Sequence, residues 1–228
     1  MTLRKPIIFA AVIFSVFFTS CVSTNTIRKN INDKIAGKTN QVELFNTDFL
    51  KLEADSLLLS DNEVIVKKIS SYFLPFVVYW GWKGTSECKI SNRYFVNIFN
   101  EVLNKKNIDF PYQKYLTSKK LIIELTSVPS TFIYTNKSTY ILMPQFLGAG
   151  IYYSSENIYP KNQKLSIRYR LISENDTIKQ GKKHFDFNNP VSSILNPSFL
   201  GIDNYLDNMK TEFELQCSLL IDNIIDDL

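Results

Sequence analysis

The spacing of apolar side chains changes along this chain, and each spacing predicts a different element. Over residues 91–106, apolar side chains recur in adjacent pairs four residues apart, which places them on one side of a helix that Ser91 could cap. Residues 202–226 step at three or four and predict a long C-terminal helix. Its apolar stripe is interpreted as core-facing and not membrane-binding, and consists of Ile202, Leu206, Met209, Phe213, Cys217, Leu220 and Ile224.

Segments rich in β-branched and aromatic residues predict strands before and between these helices. Residues 63–69 and 72–82 are two such segments, and Pro75 favours a bend or an edge position in the second. Residues 119–128 are predicted to form a buried strand, because their apolar run is nearly continuous.

Two further pairs of segments indicate hairpins. Residues 130–135 and 139–146 flank a predicted turn at 136–138. Residues 164–171 alternate between polar and apolar side chains, which is typical of a half-exposed strand, and residues 177–187 are its predicted partner. The chain therefore contains several antiparallel strands between its two predicted helices.

This order of elements predicts a fold of the α+β class. Strands, a helix, antiparallel strands and a second helix favour a two-layer sandwich, with a mostly antiparallel sheet and both helices (91–106 and 202–226) on one face. Residues 43–228 are predicted to form a single domain, since 45% of the chain is apolar and supplies a sizeable core.

The N-terminal segment has a different pattern, typical of a secretory signal. A short basic head precedes an apolar stretch at residues 6–18, which ends at Thr19-Ser20-Cys21. As a helix, these 13 residues would rise roughly 20 Å. A hydrocarbon core is about 30 Å thick, so the stretch is too short to span it comfortably.

The residues before Cys21 narrow this interpretation. Phe18-Thr19-Ser20-Cys21 resembles the lipobox of bacterial lipoproteins, although the family usually has Leu where Phe18 stands. The resemblance implies that the thiol of Cys21 carries diacylglycerol, that residues 1–20 are removed, and that the new amino group is often acylated. An ordinary signal peptide cleaved nearby and an uncleaved anchor are the alternatives. Residues 21–42 are polar and mixed in charge, and are predicted to be a lipidated tether.

The residue after Cys21 bears on the location of the protein. Val22 stands there, so the Asp that retains lipoproteins at the inner membrane in well-studied lineages is absent. The resemblance therefore implies an outer-membrane lipoprotein with its domain in the periplasm, held by the lipid on Cys21.

The charge balance excludes one class of partner. Lys and Arg number 26 and Asp and Glu 22, and removal of Arg4 and Lys5 with the signal lowers the net charge from +4 to +2. That excess is too small for a nucleic-acid surface. Of the three cysteines, Cys88 and Cys217 remain available after lipidation of Cys21. They are interpreted either as a disulfide, which the periplasm permits, or as two buried thiols.

Few residues suggest chemistry, and we expect no enzyme activity, no metal and no cofactor. His184 lies two residues from Asp186 in the predicted strand 177–187, so a hydrolase centred on this pair would require a formed pocket around it. The chain lacks a G-x-S-x-G motif and Cys or His spacing typical of zinc sites.

Two patches are candidates for contact with a ligand or partner. Tyr79, Trp80 and Trp82 form an aromatic cluster, in which the two tryptophans would share one face of a strand and could stack on a sugar, unless they fill the core. If the strands 164–171 and 177–187 pair, five cations would gather on one sheet face and form a cationic ladder. This ladder would suit anionic lipid or phosphorylated sugars, or it would simply be solvated. Its members are Lys164, Arg168, Arg170, Lys182 and Lys183.

These observations lead to a functional expectation. Element order and lipid anchor resemble small outer-membrane lipoproteins that assist lipopolysaccharide assembly or serve lipid-transport ABC systems as auxiliaries. The resemblance implies a non-catalytic lipoprotein that acts by protein or lipid contacts in envelope maintenance or transport, within an envelope protein complex. A carbohydrate-binding lipoprotein that uses Tyr79, Trp80 and Trp82 to hold a glycan is the alternative.

Overall fold

A computed structural model describes most of the chain in ten segments. They are residues 24–36, 42–59, 66–74, 79–109, 118–142, 150–161, 163–174, 176–187, 191–193 and 200–228. The helices are α1 (Thr24–Ile35), α2 (Ser56–Leu59), α3 (Asn92–Asp109) and α4 (Leu200–Asp226). The strands are β1 (Leu50–Ala54), β2 (Val66–Leu74), β3 (Tyr79–Lys89), β4 (Lys119–Ser127), β5 (Thr131–Leu142), β6 (Gly150–Pro160), β7 (Lys164–Ser173), β8 (Asp176–Asp186) and β9 (Val191–Ser193).

The strands form two sheets. Sheet A has the order β1-β4-β7-β8, in which β1 runs parallel to β4 and the other neighbours are antiparallel. Sheet B has the order β2-β3-β5-β6-β9 and is antiparallel throughout. The predicted α+β class with mostly antiparallel strands is confirmed, and the division into two sheets is a feature that the hydrophobic pattern did not predict.

The two predicted helices are confirmed as α3 and α4, which pack against each other in the core. Phe95 of α3 and Phe213 of α4 meet with their ring centroids 5.0 Å apart. Nearer the start of α4, the ring centroid of Tyr205 lies 5.0 Å from that of Phe132 on sheet B. The apolar stripe predicted for 202–226 is the buried side of α4, so this helix joins α3 to a sheet.

The strand predicted over 164–171 is also confirmed. On β7 the buried side chains alternate with more exposed ones, as the pattern of apolar residues requires. Its partner is β8, with Lys164 opposite Asp186 and Ser173 opposite Asp176. Glu174 completes the turn between them with a positive φ of 50°, a backbone conformation suited to a tight connection.

The hairpin predicted around 136–138 is wrong, because β5 continues through these residues. Asn136 is paired with Gly84 of β3 and with Glu156 of β6. Ser138 is likewise paired on both sides, with Trp82 and Ser154. Polar residues that resemble a turn therefore lie in a central strand, and the partner strand β6 was not predicted.

The bounds of the first two predicted strands are also corrected. The segments 63–69 and 72–82 were expected to be separate strands, but Tyr72 belongs to β2, where it pairs with Gly81 of β3. The connection between β2 and β3, which includes Pro75, lies outside the described residues.

The tether predicted for residues 21–42 is wrong over most of its length. Residues 24–35 form α1, in which Ile27, Ile31 and Ile35 are at most 2% exposed. Lys34 Nζ lies 2.9 Å from Asp207 Oδ2 of α4, which fixes one end of α1 beside that helix. Since these isoleucines stand four residues apart, α1 carries a narrow apolar stripe within a polar composition.

Among the described residues, no helix combines the length and the apolar character needed to cross a membrane. Residues 1–20, where the signal is predicted, lie outside the described part of the chain. The signal and the acylation of Cys21 therefore stay predictions.

Candidate functional site

The cationic ladder of the sequence maps mainly to the outer face of sheet A. Arg168 is opposite Lys182, and Lys164 and Arg170 share their side of the sheet. Lys183 does not join them, because it is opposite the buried Ile167 and therefore points to the other face. Its ammonium lies 2.6 Å from Asp227 Oδ2, and this contact is the main reason why the pKa of Asp227 is lowered.

Carboxylates lie beside three of the four ladder cations on this outer face. Arg170 Nη2 lies 3.1 Å from Glu53 Oε2, and Lys164 Nζ lies 3.6 Å from Asp186 Oδ1. A looser contact of 4.0 Å joins Arg168 to Glu124. The pKa of Glu53 is held below its usual range, first by Lys51 and then by Arg170. These contacts compensate part of the positive charge of this face, whereas Lys182 lies directly opposite another cation, Arg168.

The possible catalytic pair lies on an open surface. His184 and Asp186 are both exposed on β8, the edge strand of sheet A. Asp186 is engaged with Lys164 across the strands. The hydrolase hypothesis requires a formed pocket around these two side chains, and their exposure does not favour it. No group of three or more potential metal ligands occurs within the described segments.

The aromatic cluster lies on β3 at the part of sheet B where several side chains are not described. In the backbone register, Trp80 is opposite Tyr140 and Trp82 is opposite Ser138, so both tryptophans belong to the same face. Trp82 is half-buried, and the side chains of Tyr79 and Trp80 lie outside the described part. The carbohydrate-binding hypothesis for this cluster therefore stays a prediction.

The disulfide considered for Cys88 and Cys217 is not formed. Both cysteines are free and fully buried, Cys88 on β3 and Cys217 on α4. Burial raises the pKa of the Cys88 thiol to about 12 and that of Cys217 well above its usual value. The alternative interpretation, two buried core thiols, describes the structure.

A second cationic surface, which the sequence did not indicate, lies on sheet B. The face opposite the tryptophans carries Lys68, Lys83 and Lys137, all exposed, which we call the lysine face. Lys83 is directly opposite Lys137 in the register of β3 and β5. Lys68 is opposite Thr85 and is therefore diagonal to Lys83. Like charges at directly opposed positions of a sheet repel and destabilise it.

On the described part of the lysine face, the one carboxylate is that of Glu87, farther along β3. It is already paired, because Lys161 Nζ lies 2.6 Å from Glu87 Oε2. On sheet A the cations face Glu53, Glu124 and Asp186, whereas here the neighbours are hydroxyl and amide side chains. The contrast makes the lysine face the stronger candidate for contact with an anion.

Sequence reasoning missed this surface for a specific reason. Lys83 and Lys137 are 54 positions apart, and the sequence pattern predicts a turn at Lys137. Only the register of β3 and β5 brings the two ammonium groups to one row of the sheet. The available signal in the sequence is a lysine between two apolar strand segments. Such a lysine fits a turn, and it fits a solvent-facing position within a strand equally well.

A buried carboxyl lies on the other, core-facing side of sheet B. Glu156 of β6 is 2% exposed, and its Oε1 accepts a hydrogen bond of 2.8 Å from the Tyr134 hydroxyl. Its Oε2 is buried without a hydrogen-bond partner. Desolvation raises the pKa of Glu156, and the hydrogen bond from Tyr134 opposes this shift only in part.

This carboxyl should make stability depend on pH. Because the pKa is raised in the folded state, the folded protein keeps a proton that the unfolded chain releases near its ordinary value of 4.5. The contribution to stability is full below that pH and is lost as the pH rises through the folded pKa. Glu156→Gln should flatten this part of the profile, as measured by urea unfolding between pH 4 and pH 8. Glu174→Gln, at an exposed turn, should keep the wild-type profile, and an unchanged slope in Glu156→Gln would contradict the assignment.

In comparisons with known proteins, no family model, curated protein or solved structure matches the chain.

Proposed function

We propose that the chain is a lipid-anchored protein of the bacterial cell envelope that is not an enzyme. It acts through contacts with protein or lipid partners in envelope maintenance or transport. The observation that carries this proposal is the lysine face of sheet B, where exposed cations stand without acidic partners in the described residues. An uncompensated charge is a feature of a surface that meets a charged partner.

The anchor in this proposal is the lipid on Cys21. Phe18-Thr19-Ser20-Cys21 supports it by its similarity to the lipobox, and Val22 favours the outer membrane with the domain facing the periplasm. Two or more acyl chains hold a protein stably on a bilayer where a single chain does not. A non-catalytic role is supported by the exposed position of His184 and Asp186 on an open strand.

Replacing Cys21 by serine tests the anchor. The wild-type protein should sediment with membranes and carry the mass of the attached lipid, and Cys21→Ser should lose both, because a hydroxyl is not the acceptor of the diacylglycerol. Membrane fractionation and intact-mass spectrometry measure the two properties. Ser23→Ala, two positions away, is the control and should behave as wild type. Membrane association of Cys21→Ser at an unchanged mass would contradict the proposal.

A further inference from the structure

The lysine face borders a shallow depression of the size of a small ligand. The depression has a volume of about 340 Å³, within the range of roughly 300–1,000 Å³ common for ligand pockets. Thr135, a short side chain that is 7% exposed, forms its floor between longer neighbours. Its lining consists of Ser70, Lys83, Thr135, Lys137, Asn157 and Tyr159.

The charges of this depression select an anion with more than one negative charge. Lys83 and Lys137 occupy directly opposed positions, so their repulsion is relieved by a group that both ammonium groups can contact. A phosphate monoester carries about −1.5 to −2 charges near neutral pH and has three acceptor oxygens. Each lysine offers three N–H donors and no acceptor, which suits phosphate better than a single carboxylate.

The uncharged part of the lining suits a hydroxylated ring. The Asn157 amide offers donors and an acceptor, and the Thr135 hydroxyl can do both. Tyr159 is 45% exposed and presents a flat ring beside them. An aromatic face with nearby amide and hydroxyl groups is the chemistry that packs against a sugar ring and pairs with its hydroxyls.

We propose that the lysine face and this depression bind a phosphorylated sugar, free or as the headgroup of a lipid. Lys83 and Lys137 hold the phosphate, Lys68 adds a third positive charge, and Asn157 with Tyr159 contacts the ring. The proposed function determines where the protein meets this ligand, so the inference rests on it. The site itself depends on sheet B alone.

The full-length protein in neutral detergent gives a local test. Amine acetylation followed by mass spectrometry measures the reactivity of each lysine with glucose 1-phosphate, with glucose, or without addition. Glucose 1-phosphate should slow acetylation of Lys83 and Lys137 at least threefold, since bound phosphate withdraws their amines from reagent. Glucose should not, and Lys182 on sheet A should be unaffected because the proposed phosphate site lies on sheet B. Equal protection of Lys182, or protection of neither Lys83 nor Lys137 in this arm or the lipid arm, would overturn the proposal.

A second arm distinguishes the two sources of the phosphate. The protein is placed in phosphatidylcholine vesicles with or without phosphatidylinositol 4-phosphate, whose headgroup is a phosphorylated hydroxylated ring. Protection confined to the phosphoinositide vesicles identifies a lipid headgroup, and protection by glucose 1-phosphate alone identifies a free ligand. Either result supports the site.

Matched variants keep the test independent of folding. Lys83→Gln/Lys137→Gln should lose at least tenfold in affinity for the ligand that protects, measured by titration calorimetry. Lys164→Gln/Lys182→Gln removes the same charge from the outer face of sheet A and should bind as wild type. Equal losses in both double variants would mean a general charge effect and reject the site. Because Cys21→Ser tests the anchor separately, a failed binding test leaves the anchoring result unchanged.

Discussion

Replacing Phe213 by alanine should lower the free energy of unfolding by about 3–5 kcal/mol. Phe213 is fully buried on α4, with its ring centroid 5.0 Å from Phe95 of α3 and 6.3 Å from Phe187 after β8. Truncation removes contacts to both neighbours at once. The cavity is surrounded by a helix and a sheet that cannot collapse into it freely, so the cost should fall at the high end for a core residue.

Denaturant unfolding monitored by circular dichroism measures this loss. Leu215→Ala is a matched control on the same helix, because Leu215 is 53% exposed and its removal leaves no cavity. The control should change the free energy of unfolding by less than about 0.5 kcal/mol. A loss below about 1 kcal/mol for Phe213→Ala would show that α4 is not packed as described.

Ile31→Ala should lower the free energy of unfolding by about 2–4 kcal/mol. Ile31 is 2% exposed at the middle of the apolar stripe of α1. Alanine favours a helix at least as well as isoleucine, so the loss would come from packing and not from helix propensity. A loss of this size would show that α1 is a packed helix and not the flexible tether that the composition predicts.

Lys29→Ala provides the control for this helix, since Lys29 is exposed. It should leave the free energy of unfolding nearly unchanged, and the same denaturant titration measures both variants. If Ile31→Ala also had no effect, residues 24–35 would not contribute to the fold and the tether interpretation would return.

The elements with a strong period were predictable from the sequence. The helices α3 and α4 and the strand β7 each bury one side. Burial of one side is what makes apolar residues recur at a regular spacing. The errors lie where polar residues occupy regular structure. Asn136 and Ser138 are in a central strand, because neighbours on both sides satisfy their backbone groups.

The candidate surfaces depend on pairing across the chain, which a single sequence does not contain. The ladder of Arg168 and Arg170 was identifiable because its residues are close in sequence, but the carboxylates beside these two residues come from β1 and β4. Lys83 and Lys137 are brought together by register alone. Predicting local charge is therefore easier than predicting which charges remain unbalanced.

The early start of α1 would hold the domain close to the bilayer under the proposed lipid anchor. Only Val22 and Ser23 separate Cys21, the proposed point of lipid attachment, from Thr24, the first described residue of α1. Fully extended, the chain from Cys21 to Thr24 reaches about 10 Å. With its acyl chains in one bilayer, the domain would stay at the headgroups of that bilayer and meet the lipids and proteins beside it. Its encounters would take place by diffusion in two dimensions, in the plane of a single leaflet.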